Sequence, residues 1–357
     1  MCETPISGGG ERYLLGLAEE MTALGHRVTL VGSVPGWEDL ALERIPVPLG
    51  PKWAGRHTFK VLHRLPRERR ATERATRSLG ATVFHAQYKR EQIGLTPILA
   101  RLAPVVWTEH GRWVSGIEGA LLAKAYRRAS RHVTTLIAVS PAVADDLRQV
   151  VGVTCPIAVI PNAVDTSRYR PSTAAEQHAA REALGLMPDK PVVAWVGRMD
   201  PGKLPELAIA AGAAFDGQLV MAGSGPLSDQ VGAAAAQAGV IYLGRVPESL
   251  LLFRASDALL LTSRGRGEGL PYTLLEAAAS GLPIVANSGC GLDSGEPDYP
   301  VQFATPTGSA LSAALTQVIS DSSFSERSRS WALRHDVVAW RREHEEVLRA
   351  AERRAAR

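Results

Sequence analysis

Two cations and two carboxylates carry the chemistry this sequence can do. The cations, Arg198 and Lys203, lie in Val193-Ala-Trp-Val-Gly197-Arg198-Met-Asp-Pro-Gly-Lys203, where an apolar run ends in glycine. An Arg fork and a Lys point charge at that spacing could together neutralise a diphosphate. The carboxylates, Glu268 and Glu276, bracket Gly269-Leu270-Pro271. There a glycine-rich loop (Gly265, Gly267, Gly269) runs into a helix opened by Pro271 and stopped by Gly281. Such a junction gathers backbone N–H groups and the positive end of a helix dipole, which suits a phosphate. Carboxylates accept hydrogen bonds from hydroxyls. Phosphate on the amides and hydroxyls on the carboxylates together point to a sugar nucleotide. Taken singly, each feature has a plainer reading: surface cations, a solvated Glu268, an exposed helical Glu276.

Further polar residues follow other apolar runs. Gly223, in Ala222-Gly223-Ser-Gly225-Pro226, reads as a turn that lets a ligand approach the backbone. Arg245 and Val246, in Leu243-Gly244-Arg245-Val246-Pro247, could wall a nucleobase. In the first half, Trp107-Thr108-Glu109-His110-Gly111-Arg112 places His110 at a strand's carboxyl end, with Glu109 as a rival polar group and His85 as a weaker one.

The elements that must hold these residues alternate. Apolar strand-like runs at 28–31, 45–47, 82–86, 105–108, 136–139 and 157–160 are mostly separated by helical patterns at 59–79, 92–102, 119–129 and 141–150. After a linker at 161–171, a second series has strands at 192–196, 218–222, 240–243, 258–262, 283–286 and, more weakly, 301–303. Its helices fall at 204–214, 228–238, 248–254 and 272–280, with further helical patterns at 309–319 and 324–357. This rhythm predicts parallel sheets covered by helices on both faces. The glycine loop Ser7-Gly8-Gly9-Gly10 precedes the first helix, where an α/β unit places a strand. Only a stub precedes it here, so the sequence predicts that the first strand continues upstream of Met1.

These motifs, taken in order, resemble those of the retaining GT-B glycosyltransferases of family four. The resemblance is carried by Gly8-Gly9 with its helix, Pro161-Asn162-Ala-Val-Asp165, Gly197-Arg198…Lys203, Gly223-Ser-Gly225-Pro226 and Glu268-Gly-Leu-Pro…Glu276. It implies two Rossmann-like domains with parallel sheets facing a cleft. An acceptor domain would span 1–163 and a donor-nucleotide domain 172–322, with helices in 323–357 returning to the first domain. It implies that Arg198 and Lys203 bind the donor diphosphate, helped by backbone amides of Gly9, Gly10, Gly269 and Leu270. Glu268 would contact donor-sugar hydroxyls, Glu276 the ribose, and His110 the transferred sugar. Val338-Ala-Trp340 resembles the family's closing aromatic pattern. The chain departs from the pattern at Arg264 and Arg266 and in the segment 291–300.

The implied activity is transfer of a hexose-type sugar from a nucleotide-diphosphate sugar to a hydroxyl acceptor, with retention and without a metal or other cofactor. A sugar-nucleotide epimerase and a non-catalytic sugar-nucleotide binder share the scaffold. With 357 residues the chain has room for two domains, and a formal charge of +4 gives no indication of nucleic-acid binding. Three scattered cysteines read as reduced, in a cytoplasm-like compartment. The Arg-rich stretch 59–79 offers a basic face for an anionic membrane surface or a phosphorylated acceptor.

Overall fold

The structure, a computed structural model, describes residues 2–3, 8–49, 62–113, 116–265, 269–292 and 298–355. Its contacts divide the chain into two units, Met1–Pro161 with Val338–Arg357, and Asn162–Val337.

The first unit opens with β1 (Cys2–Glu3), α1 (Gly9–Ala23), β2 (Thr29–Ser33) and β3 (Glu43–Ile45), then α2 (Leu65–Thr76) and β4 (Phe84–Ala86). It continues with α3 (Lys89–Leu99), β5 (Val105–Glu109), α4 (Ile117–Ser130), β6 (Thr135–Ala138), α5 (Pro141–Asp145) and β7 (Ile157–Val159). The strands form two parallel sheets, β1-β2-β3 and β4-β5-β6-β7. Every residue of β5 is buried, as a strand covered on both faces must be. Trp107, Tyr126, Leu95, Leu99 and Leu136 fill the core around it.

The second unit holds α6 (Ala174–Ala183), β8 (Val192–Val196), α7 (Pro205–Ala214), β9 (Gln218–Ala222), α8 (Ser228–Gln237) and β10 (Ile241–Tyr242). Next come α9 (Leu250–Ala255), β11 (Ala258–Leu261), α10 (Tyr272–Ala279), β12 (Ile284–Asn287), β13 (Val301–Ala304), α11 (Gly308–Ser320) and α12 (Ser322–Leu333). One parallel sheet runs β10-β9-β8-β11-β12-β13. From β8 the chain winds outward to β10, then returns to the other side of β8 at β11. The carboxyl ends of β8 and β11 therefore border a topological switch point, where open α/β sheets bind ligands.

Both α/β series expected from the sequence are present, with shifted boundaries. The third strand is at Glu43–Ile45 rather than 45–47, and the basic helix runs over Leu65–Thr76. The terminal helical pattern 324–357 is broken into α12 and α13 (Val337–Ala355). The break has a cause. The carbonyl of His335 accepts from Val164 N, and the Asp336 carboxylate accepts from Thr166 Oγ1 at 2.6 Å. Arg329 on α12 donates to the carbonyls of Thr166, Tyr169 and Ala279. These bonds keep α12 in the second unit, so the division falls at Val338, where the sequence reading began the returning helices at 323.

Candidate functional site

The loop after β8 is built around a residue the sequence reading passed over. Asp200 is 9% exposed, and its Oδ1 accepts from the backbone N–H groups of Gly202 (2.8 Å) and Lys203 (3.2 Å). Its Oδ2 takes the Nε of Arg198. An aspartate that closes a turn onto N–H groups two and three residues ahead is a local device. Here it also positions Arg198, whose side chain is 63% exposed.

The end of β11 holds the same loop from the other side. Thr262 Oγ1 meets the carbonyls of Lys203 (2.7 Å) and Leu204 (3.1 Å) and accepts from Trp195 Nε1 (2.8 Å). Arg264 N donates to Gly202 O at 2.7 Å, and Ser263 is bonded on both backbone groups by Asn287. Leu204 is thereby held at φ +47, a left-handed conformation that few side-chain-bearing residues adopt. Lys203 lines a crevice with Trp195, Thr262, Ser263, Pro271 and Thr273, so the cation and the start of α10 border one space at the switch point.

Gly223 and Gly225 have a structural reason that differs from the one expected. A Cβ on Gly223 would stand 1.8 Å from Gly197 O, and one on Gly225 would stand 2.4 Å from Met199 O. The close approach is by the neighbouring loop's backbone, fastened by Gly197 N to Ala222 O (3.1 Å) and Met199 N to Ser224 O (3.1 Å). Gly223 N in turn donates to Gly244 O at 2.7 Å. Three strand-end loops are thus fused edge to edge, and the third carries exposed Arg245 and half-buried Val246.

Gly269 is half-buried and Leu270 buried, at the turn into α10. The turn is anchored by Asn162, whose Nδ2 donates to Leu270 O at 2.6 Å. Pro271 caps α10 in an extended conformation and does not occupy its first turn. Glu276 is no exposed helical charge. It is 1% exposed, and its Oε2 accepts from Ser249 Oγ at 2.8 Å. Glu268 and Arg266 lie outside the described residues.

In the first unit, Gly8 opens α1 in an extended conformation without a side-chain cap, which leaves the N-terminal amides of Gly9 and Gly10 outside the helical ladder. A Cβ on Gly10 would stand 2.7 Å from the Tyr88 hydroxyl, so packing also requires this glycine. Gln87 donates from Nε2 to Gly10 O (2.8 Å) and presents Oε1 to His110 Nε2 at 3.1 Å. With the amide so oriented, His110 carries its proton on Nε2. His110 also lies edge-on to Tyr13, with ring centroids 4.7 Å apart.

Tyr13, fully buried, belongs to a polar chain invisible in the sequence. His344 Nδ1 faces Trp340 O (2.8 Å), which makes its Nε2 the acceptor for the Tyr13 hydroxyl (2.6 Å). Thr108 Oγ1 stands 2.9 Å from that hydroxyl and 2.8 Å from His85 Nε2. Each member has a consistent role when both imidazoles are neutral. Burial lowers His344 to about 4 and His85 well below its ordinary value. Trp340 packs edge-on against Tyr13 at 5.3 Å.

Glu109, 8% exposed, bonds to Lys89 Nζ and accepts from the Tyr126 hydroxyl at 3.0 Å. The Lys89 ammonium stands 4.7 Å from the Trp113 ring and 4.4 Å from the Tyr126 ring. Burial pulls Lys89 below its ordinary value against the pull of Glu109. Burial, then Glu109, pushes Tyr126 well above its own. Arg112 forks onto Asp146 at 2.8 and 2.9 Å.

On α2, Arg67, Arg70, Arg74 and Arg77 are exposed and share one stripe at helical spacing. Arg69 instead donates to Gly94 O, and Arg77 pairs with Glu73 at 2.8 Å. Residues 59–61 of the expected basic stretch lie outside the described residues. Of the cysteines, Cys155 and Cys290 are free thiols, and burial pushes Cys155 up to about 11. Among the described residues, no helix is long and apolar enough to cross a membrane.

Known proteins resemble this arrangement over both units. The family described as Glycosyltransferase Family 4 matches residues 7–168, and the one described as Glycosyl transferases group 1 matches residues 176–333. D-inositol 3-phosphate glycosyltransferases of Mycobacterium bovis and Mycobacterium tuberculosis are 34% identical over 167 residues. That match covers 42% of this chain and 33% of those relatives, so it spans about a third of their length. Among solved structures, Anabaena Alr3699/HepE in complex with UDP has a TM-score of 0.78 at 18% identity, covering 98% of each chain. Sucrose-phosphate synthase from Thermosynechococcus elongatus has a TM-score of 0.79 at 20% identity, covering 96% of this chain and 94% of its own. These likenesses establish the GT-B architecture expected from the motifs.

Proposed function

From the premise that this chain belongs to the family-4 glycosyltransferases, we propose that it moves a hexose-type sugar from a nucleotide-diphosphate sugar to a hydroxyl acceptor. The observation that carries the reading is the crevice at the switch point, where Lys203 and the start of α10 border one space. As the anomeric bond breaks, negative charge grows on the departing diphosphate while the sugar becomes oxocarbenium-like. Arg198, Lys203 and the N–H groups of the Gly269-Leu270 turn supply fixed positive charge for that leaving group. This supports a metal-independent mechanism. Glu276 takes the ribose, Glu268 the donor-sugar hydroxyls, and Arg245 with Val246 the base.

In the first unit, the N-terminal amides of Gly9 and Gly10 suit an anionic group, and His110, oriented by Gln87, suits a sugar hydroxyl. Glu109, tied to Lys89 and Tyr126, shapes the acceptor side. With the departing phosphate taking the acceptor proton on the same face, the anomeric configuration is retained. Anabaena Alr3699/HepE has been solved with UDP-glucose, which favours a uridine donor. The mycobacterial relatives' name adds a phosphorylated polyol to the acceptors to be tried. The work is done in the cytoplasm, and the arginine stripe of α2 brings the protein to anionic membrane.

Donor screening tests this reading. The protein is incubated with UDP-, GDP- and ADP-sugars, with and without chelator, and free nucleoside diphosphate is measured. Release from one donor class, undiminished by chelator, is expected. No release and no binding with any donor would remove the transferase reading, and loss of release with chelator would remove its metal independence. Cosedimentation with phosphatidylserine vesicles, absent with neutral ones, is the outcome expected for the arginine stripe.

A further inference from the structure

Two neighbouring carboxylates stand at the end of α5, in opposite surroundings. The Asp145 side chain is 57% exposed and pairs with Arg148 at 3.4 Å, whereas the Asp146 side chain is 8% exposed. The inward turn coincides with a change of helix. Past α5 the backbone widens into a π-helical stretch over Asp146–Val151, where Gly152 N closes onto Leu147 O and Gly152 itself stands at φ +73. A π turn winds each residue less far than an α turn and so re-aims its side chains. Such stretches are rare and recur at functional sites.

Asp146 faces the loop that carries His110. Its Oδ2 accepts from Arg112 Nε (2.8 Å) and Trp113 N (2.9 Å), and its Oδ1 accepts from Arg112 Nη2 (2.9 Å). On the other side of His110, Val139 N donates to Glu109 O at 3.2 Å, and the Glu109 carboxylate is taken by Lys89 and Tyr126. Trp113 lays its ring over the Lys89 ammonium and donates from Nε1 to Gly119 O at 3.2 Å. His110 therefore stands between two anchored stretches, with its Nε2 on Gln87 Oε1. A largely buried ion pair adds little net stability over apolar residues of the same volume. A bidentate fork does fix direction as well as distance.

We propose that Asp146 is a positioning residue. By holding Arg112 and the Trp113 amide it fixes the loop from Glu109 to Trp113, so that the His110 imidazole, with Nε2 on Gln87, meets a substrate hydroxyl in one orientation. The kinetic consequence rests on the transferase reading; the orientation of His110 does not.

Asp146→Asn keeps the shape of the clasp and removes its charge, and Arg112→Lys keeps the charge and removes the fork. Each is made with and without His110→Ala. The readouts are kcat, KM for the donor found by the screen, and the ring-nitrogen NMR signal of His110, identified by its loss in His110→Ala. With His110 present, each variant should lower kcat at least ~10-fold, the scale of a small misplacement of a reacting group. Donor KM should change by less than about twofold. Without His110, the same substitutions should change kcat by less than about twofold, since members of one network are not additive. The ring signal should show one Nε2–H tautomer in the wild type and a mixture in Asp146→Asn. Should Asp146→Asn not fold, Arg112→Lys carries the comparison. Unchanged kcat in the folded variants would overturn the proposal. An equal loss with and without His110 would also overturn it, in favour of a purely structural clasp. If no donor is turned over, the transferase reading fails separately and the ring signal decides, a single unaltered tautomer in the variants overturning the positioning of His110.

Discussion

Lys203 and Asp200 divide the work of one loop: Lys203 faces the crevice, while Asp200 ties down the backbone that aims it. Lys203→Ala should lower turnover by at least ~10²-fold, the scale of losing one contact made to developing charge. Near-normal turnover in that variant would remove Lys203 from the mechanism. Gly223→Ala meets both a carbonyl oxygen 1.8 Å from the new Cβ and a φ of +136, so it should destabilise by at least ~3 kcal/mol in a denaturant titration. Gly265→Ala, at φ +74 with nothing near the Cβ, should cost only about 1–2 kcal/mol. Equal losses would mean that the contact between loops contributes nothing. The sequence made Arg198 and Lys203 legible because charge beside glycine after an apolar run is unusual. Asp200 was not legible, since an aspartate in a turn is commonplace and its reach to Arg198 is a matter of geometry. The helix that carries Glu276 is legible, but its buried bond to Ser249, 27 residues earlier in sequence, is not.

At the scale of elements, long-range bonds decide where helices stop and which unit they join. Arg329 clamps three carbonyls, one of them Ala279 O at the end of α10, where a cation also complements the helix dipole. Arg329→Met should therefore destabilise by about 2–3 kcal/mol, read from the denaturant midpoint. No sequence pattern announces such a clamp, and none announces the break before α13. Both depend on the segment from Val164 to Tyr169, at least 160 residues earlier in the chain. The chain from His85 to His344 makes a pH prediction. The His344 pKa is lowered from 6.5 to about 4, so the unfolded state binds the extra proton first. Stability is then full above pH 6.5 and falls as pH drops toward about 4, by about 3 kcal/mol from this residue. His85 adds to the fall in the same direction. His344→Gln should flatten the slope of unfolding free energy between pH 6.5 and 4, and an unchanged slope would place the titration elsewhere.

Across the whole molecule, the alternation of strands and helices was legible throughout, because buried parallel strands leave unmistakable apolar runs. Sheet order was not, since runs of similar composition do not say that β8 lies between β9 and β11. The switch point, and with it the reason the loops at 197–204 and 262–264 meet, is a property of topology. Each unit has its own buried clusters, so a ligand confined to one should act on that one. Nucleoside diphosphate at 100 times its Kd should stabilise the second unit by about 2.7 kcal/mol. Exchange protection should be concentrated at 197–204 and 262–264. Protection spread evenly over both units, or absent from these loops, would refute the placement of the donor.

The seam between Gly197–Met199 and Gly223–Gly225 also constrains how this enzyme could be redesigned. Backbone packed on backbone leaves no room for new side chains at Gly223 or Gly225, so a library randomised there would return mostly misfolded variants. Variation is tolerated instead where the same loops reach solvent, at exposed Arg245 and Arg264 and half-buried Val246. Those three positions are where the seam leaves room for a different side chain.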